Sequence, residues 1–287
     1  MYQLFCDSNC ELWYDVVENF GMKFISMPYV LDGKEYYYDL GRETDLKQFF
    51  QRMREGAVPV TSAINEQNYI DYFEPELKAG KDVYYITFSH KLSATFESMK
   101  KAIAALKERY PDRVIRYFDT KAISLGAGFQ VYYAAQKYQQ GATMDELESY
   151  LEKLRDHTSV YFVVDDLVYL KRGGRISALT AAFGSLLSIK PLITIMPDGS
   201  LQNVGKVKGS KKVYSEFIRL MHEREADVKN YKIMILQADC EEFCGGFVQA
   251  LKNEFGQEID VHSQMVGPVI GSHCGPGTLG VIFYAEK

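Results

Sequence analysis

Asp7-Ser8, Thr61-Ser62, the stretch carrying Ser89, Ser93 and Thr95, Asp119-Thr120 and Ser124 lie at the ends of apolar runs or in the loops between them. In an open parallel sheet a ligand sits beyond the carboxyl ends of the strands, which is where these side chains would gather. Taken singly, each is what a helix N-cap ordinarily uses. Taken together, they put several helix N-termini, with their unpaired N–H groups, beside a set of hydroxyls at one sheet edge. That arrangement suits an anion.

Missing motifs narrow the choice of anion. There is no GxxxxGK[ST] loop, and Gly126-Ala127-Gly128 runs into Phe129 and Gln130 without the third glycine of a dinucleotide fingerprint. Hydroxyls with few nearby cations suit a carboxylate better than a phosphate, which tends to recruit Arg or Lys, although backbone alone can also hold a phosphate. Ser93, His273 and Asp119 could be assembled into a hydrolase triad on paper, but Ser93 sits in LSATFES, with no GxSxG elbow. His273 stands in the glycine-rich GSHCGPG, which reads as a tight loop allowing close backbone approach.

The elements that must position these groups follow from periodicity. Buried strands are expected at 2–6, 23–27, 83–88 and 114–118, alternating with helices at 12–20, 46–55, 67–78, 95–110 and 123–140. That order gives a mainly parallel sheet covered on both faces, with a small hairpin at the Asp32-Gly33 turn. A further helix at 143–157 closes the first half. Beyond it, strands at 160–164, 192–196, 201–206, 232–237, 258–263 and 279–284 and helices at 211–225 and 242–254 predict a second, mixed sheet, with a hairpin at Asp198-Gly199. The chain therefore reads as two α/β domains, 1–157 and 158–287, and a cleft between domains is a common ligand site.

An apolar fraction of 47%, a charged fraction of 25% and no long uncharged apolar run fit a water-soluble protein without membrane insertion. The N-terminus lacks a secretory pattern, so a cytoplasmic location is expected. A net charge of -5 argues against nucleic acid as a partner. Cys240 and Cys244 have helical spacing but no second ligand pair, so no metal site is expected and the five cysteines read as structural thiols.

CDSNCEL, VTSAIN, SHKLSATFES, DTKAISLGAG, VDDLVYLKRGGRIS, LLSIKPLITIMPDGSL and VGPVIGSHCGPGTLGV follow one another along the whole chain. In these motifs and their order the chain resembles the bacterial DegV family, which includes the fatty-acid-binding subunit of fatty acid kinase. LKRGGRIS and GSHCGPG are the most specific of them. The resemblance implies a DegV-like two-domain fold with a lipid tunnel between the domains, and a carrier rather than a catalyst. A long-chain fatty acid would be the ligand, with no cofactor. Its carboxylate would lie at Ser93, supported by Thr61 and His273. Ser62, Thr95, Ser124 and Gly271 complete the candidate ligand-binding set. A separate kinase subunit would phosphorylate the carboxylate to an acyl phosphate, docking on Arg172, Arg175 and Lys208 outside the tunnel; a lipid-binding sensor or store not coupled to a kinase is the alternative. Ala94 stands where the family usually has Gly, and Lys208 where Arg is common, which exchanges a forked donor for a point charge.

Burying a chain of about sixteen carbons brings on the order of 12 kcal/mol of gross transfer free energy, so affinity would come from the tunnel. Residues 179–187, with Phe183, Leu186 and Leu187, and the strand at 192–195 are candidates to line it. The basic residues Arg172, Arg175, Lys206, Lys208, Lys211 and Lys212 could form a docking patch for an acidic partner.

Overall fold

The computed structural model describes residues 1–175 and 189–287. The chain opens with β1 (Tyr2–Asp7), a 3-10 turn (Ser8–Cys10), α1 (Tyr14–Asn19) and β2 (Lys23–Ile25). A hairpin of β3 (Pro28–Leu31) and β4 (Lys34–Tyr37) follows, then α2 (Leu46–Arg54), β5 (Val60–Thr61) and α3 (Glu66–Lys78). After these come β6 (Asp82–Thr87), α4 (Thr95–Arg109), β7 (Ile115–Asp119), α5 (Leu125–Gln139) and α6 (Met144–Asp156). The second half carries β8 (Thr158–Val163), α7 (Leu167–Arg172), β9 (Ile189–Ile195), β10 (Leu201–Lys208), α8 (Ser210–Glu223), β11 (Ile233–Gln237), α9 (Glu241–Phe255), β12 (Val261–Met265), α10 (Pro268–Cys274) and β13 (Leu279–Tyr284).

The first sheet is parallel throughout, in the order β2-β1-β6-β7. The second is mixed, in the order β10-β9-β8-β13-β11-β12, with only β11 and β12 parallel. Both agree with the alternation read from the sequence. The Asp32-Gly33 hairpin also forms, but β5 joins it to make a third, three-stranded sheet, pairing Tyr29 with Thr61. A two-residue strand leaves no periodic signal, so nothing in the sequence announces it. GSHCGPG is not a bare loop either: its first four residues end α10, and Gly275, at φ 73°, stops the helix.

The helix α5 lies between the two large sheets. Its sequence, LGAGFQVYYAAQKYQ, is apolar on nearly every side, as a helix covered all round must be. A methyl group at Gly128 would overlap the Cys10 carbonyl, so glycine there lets the start of α5 close onto the turn after β1. Along β8, β11 and β13 the side chains alternate. Val160, Phe162, Met234, Leu236 and Ile282 join the large core shared with the first half, while Tyr161, Val163, Ile233, Ile235, Val281 and Phe283 pack with Phe217 and Phe247 from α8 and α9. All five cysteines are free.

Candidate functional site

Between the two large sheets is a cavity that is partly enclosed and opens to solvent at one end. Its apolar wall takes Met27, Phe88, Ile123, Val160, Phe162 and Leu236 from strands and loops of both halves, with Val269 and Ile270 from α10. The polar lining is short: Asn9, Thr61, Ser62, Ser93, Thr95, Ser124, Arg175, His273 and Thr278. A largely apolar enclosure with a few placed polar groups is the usual make-up of a small-molecule site.

The β3–β5 pairing holds Thr61 at one end of this space. Its Oγ1 lies 2.9 Å from His273 Nε2, at the end of α10. His273 Nδ1 is buried, has no partner among the described residues and faces Gly173, where a methyl group would overlap the ring. The two glycine-rich segments are therefore spatial neighbours. Burial, and then the nearby Arg175 charge, lower the His273 pKa to about 4, so the imidazole is neutral at pH 7.

Ser93 precedes α4, and its Oγ accepts the Thr95 N–H at 3.2 Å. The hydroxyl is thus part of the helix start, yet its own proton is left to donate. Thr95 is fully engaged: its Oγ1 accepts from Ile64 N–H at 3.1 Å and donates to Ile64 C=O at 3.2 Å, tying the Thr61 loop to α4. Ser62 is exposed at the mouth. Ser93 and Arg175 also line an outer depression with His90, Lys91 and Lys100, so the hydroxyl end of the cavity adjoins the surface.

The turn after β1 adds a group that the sequence did not single out. Asn9 lines the cavity, flanked by two buried carboxylic acids. Asp7 accepts from Tyr85 O–H at 2.8 Å and Asn9 N–H at 2.9 Å, and Glu11 accepts from Gly267 N–H at 2.7 Å. Burial outweighs these donors and pushes their pKa values up to about 7 and about 8. An asparagine between two acids in an apolar strand–turn gives no local signal of facing a cavity some hundred residues away in sequence.

The model of the family described as uncharacterised protein, DegV family, matches residues 1–286. The chain belongs to the DegV family. A DegV domain-containing protein of Clostridium perfringens is 36% identical over 285 residues, 99% of this chain and 98% of the relative. Among solved structures, a DegV family protein from Thermus thermophilus, described for its fatty acid binding, superposes with a TM-score of 0.87 at 29% identity, covering 99% of each chain. DegV of Bacillus subtilis, described as a fatty acid binding protein, gives 0.85 at 26% identity and 99% of each chain.

Against this DegV frame several expectations change. Gly271 is buried in α10 against Phe49 and Phe50 and is not part of the cavity wall. Arg175 does not stand outside with Arg172 and Lys208. Its Nε donates to the Leu92 carbonyl at 3.1 Å, bending the side chain back over the serine loop, where burial lowers its pKa. Arg172, Lys206, Lys208, Lys211 and Lys212 are exposed. Residues 192–195 of β9 are absent from the cavity wall: Leu192 faces the α8–α9 core, and Ile193 packs within the shared core away from the cavity. Residues 179–187 lie outside the described residues. Asp119 accepts from Lys121 N–H and meets His90 Nδ1 at 2.6 Å. With Asp119 engaged there and no carboxylate on His273 Nδ1 among the described residues, the triad drawn on paper does not assemble. No helix among the described residues is long and apolar enough to cross a membrane.

Proposed function

We propose that this DegV protein binds a long-chain fatty acid between its domains, 1–157 and 158–287, and presents the carboxylate to a partner kinase for conversion to an acyl phosphate. One observation carries the reading: the apolar cavity ends in Ser93, Thr61 and His273 where it adjoins the surface, so an acyl chain can be enclosed while its head stays reachable. The fatty-acid-binding relatives from Thermus thermophilus and Bacillus subtilis support the same ligand class.

The polar end suits a carboxylate. With Nδ1 facing a Cα–H of Gly173, the neutral imidazole carries its proton on Nε2 and donates to Thr61 Oγ1. The Thr61 hydroxyl then turns its own proton to the ligand, beside that of Ser93. Ser62 at the mouth is placed to add a further donor. Arg175 supplies positive charge close by, although its guanidinium is partly committed to the Leu92 and Gly173 carbonyls. Neutral donors leave a carboxylate lone pair free to attack a phosphoryl group, which a bidentate arginine clamp would occupy.

In this reading the chain is a carrier without catalysis of its own. The exposed Arg172, Lys206, Lys208, Lys211 and Lys212 offer an acidic kinase surface a docking patch in a protein whose net charge is -5. Mass spectrometry of the denatured protein after expression should release fatty acid. Ser93→Ala should weaken fatty acid binding about tenfold, as expected for one lost hydrogen bond to a charged group, with a melting temperature only a few degrees lower from the lost bond to Thr95 N–H. Unchanged affinity in that variant would remove Ser93 from the site.

A further inference from the structure

Two polar side chains on the cavity wall have no hydrogen-bond partner among the described residues. Asn9 is 4% exposed and its Oδ1 makes no hydrogen bond; Ser124 is 2% exposed and its Oγ makes none. Thr95 is satisfied by Ile64, Thr278 donates to the Cys274 carbonyl at 2.9 Å, and His273 keeps Thr61 as a partner at Nε2 while its Nδ1 faces Gly173. A buried hydroxyl or amide normally finds a partner, so an unpaired pair on the wall of this apolar cavity points to a partner that arrives with the ligand.

Ser124 is not simply a helix cap. It occupies the N-cap position of the fifteen-residue α5 but makes no side-chain cap hydrogen bond. Its backbone sits at φ 54° and ψ -143°, a conformation that favours glycine. A serine held there keeps a hydroxyl on the cavity wall at a cost in backbone strain. Asn9 lies on the 3-10 turn onto which α5 closes through Gly128, so the two side chains come from contacting segments. Neither residue lines the outer depression, which Ser93 and Arg175 do, so this pair is set apart from the mouth.

We infer that Asn9 and Ser124 form a second polar station inside the cavity, which selects an acyl chain bearing a hydroxyl along its length. This rests on the proposed fatty acid function. A chain hydroxyl can donate to Asn9 Oδ1 and accept from the Ser124 O–H or the Asn9 amide, whereas a methylene leaves all of them unpaired. The alternative occupant of such a spot is ordered water, which would serve any chain alike.

The test uses delipidated protein and displacement of a fluorescent fatty acid by stearic acid and by hydroxystearic acids carrying the hydroxyl at successive carbons. One positional isomer should bind about tenfold more tightly than its neighbours in the series, and that advantage should vanish in Asn9→Leu and in Ser124→Gly. Glycine tolerates the Ser124 backbone, so that variant removes the hydroxyl without disturbing the fold. A flat response across the isomers in the native protein overturns the inference, as does an advantage that survives both substitutions. The isomer series needs no variant, so a poorly folding Asn9→Leu does not leave the question open. If stearic acid itself does not bind, the fatty acid reading fails first and this inference falls with it.

Discussion

The two faces of the six-stranded sheet use the same residue types and end differently. On the outer face Tyr161, Val163, Ile233, Ile235, Val281 and Phe283 meet α8 and α9, and Phe247 and Phe217 close the layer with ring centroids 5.3 Å apart. On the inner face Val160, Phe162 and Leu236 are equally apolar, but part of what they face is open space. Strand composition does not distinguish a core from a lipid wall. What distinguishes them is the opposing layer: two amphipathic helices on one side, and on the other loop ends bearing Ser93, Thr61 and Ser124, which cannot fill a core without losing water.

The largest effect should come from breaking the finished face. Phe247→Ala removes a fully buried ring from a packed layer and should cost about 3–5 kcal/mol in chemical denaturation, with fatty acid affinity of the folded fraction unchanged. Leu236→Ala on the other face should cost less, about 2 kcal/mol, because its side chain already borders a void. Added fatty acid should return part of that loss, and the preferred chain should become bulkier. Equal losses from the two variants, neither reversed by ligand, would mean that the inner face is ordinary core.

The contrast extends to pH. His273 is buried and faces Arg175 and Thr61, and its pKa is lowered to about 4 from an ordinary value near 6.5. In that interval the unfolded chain binds the proton and the folded chain does not. Stability from the neutral imidazole is therefore present above pH 6.5 and lost as pH falls through 4, by an amount of order 3 kcal/mol. Asp7 and Glu11 act in the opposite direction. Their raised values, about 7 and about 8, mean stability present below their ordinary carboxylate range and lost as pH rises through 7 and 8. Denaturation of wild type, His273→Gln and Asp7→Asn with Glu11→Gln across pH 4 to 9 separates the two. The wild-type advantage over His273→Gln should shrink toward acid, while the double variant should flatten the alkaline loss. A bound carboxylate should raise the His273 value and so blunt the acid loss.

Much of this was legible in the sequence. Apolar runs and alternation located β1, β6, β7 and β13 within a residue or so, and the Asp32-Gly33 and Asp198-Gly199 pairs marked real hairpin turns. The hydroxyls that follow parallel strands could be expected to converge, because the strand direction fixes which end they occupy. Other features depend on contacts between distant segments. Thr61 is positioned by a two-residue strand pairing with Tyr29, Arg175 folds inward because the Leu92 carbonyl is there to receive it, and Asn9 meets the cavity only because α5 closes on the preceding turn. No local period carries such information.

Gly173→Ala gives the smallest expected change and the sharpest division between stability and site. Gly173 ends α7 with φ -69°, which any residue can adopt, and replacing it removes up to about 1 kcal/mol of unfolded-chain entropy cost. The added methyl overlaps the His273 ring at Nδ1, however, so the imidazole must move away from Thr61. A melting temperature within a few degrees of wild type should therefore accompany an affinity loss of about tenfold, or roughly 1.4 kcal/mol. The nearest structural analogue of this loss is His273→Gln, and combining the two should add little, because both act through one hydrogen bond to Thr61. Full additivity would place Gly173 in a different role, as a spacer for α7 against α10, and leave the histidine's position set by α10 alone.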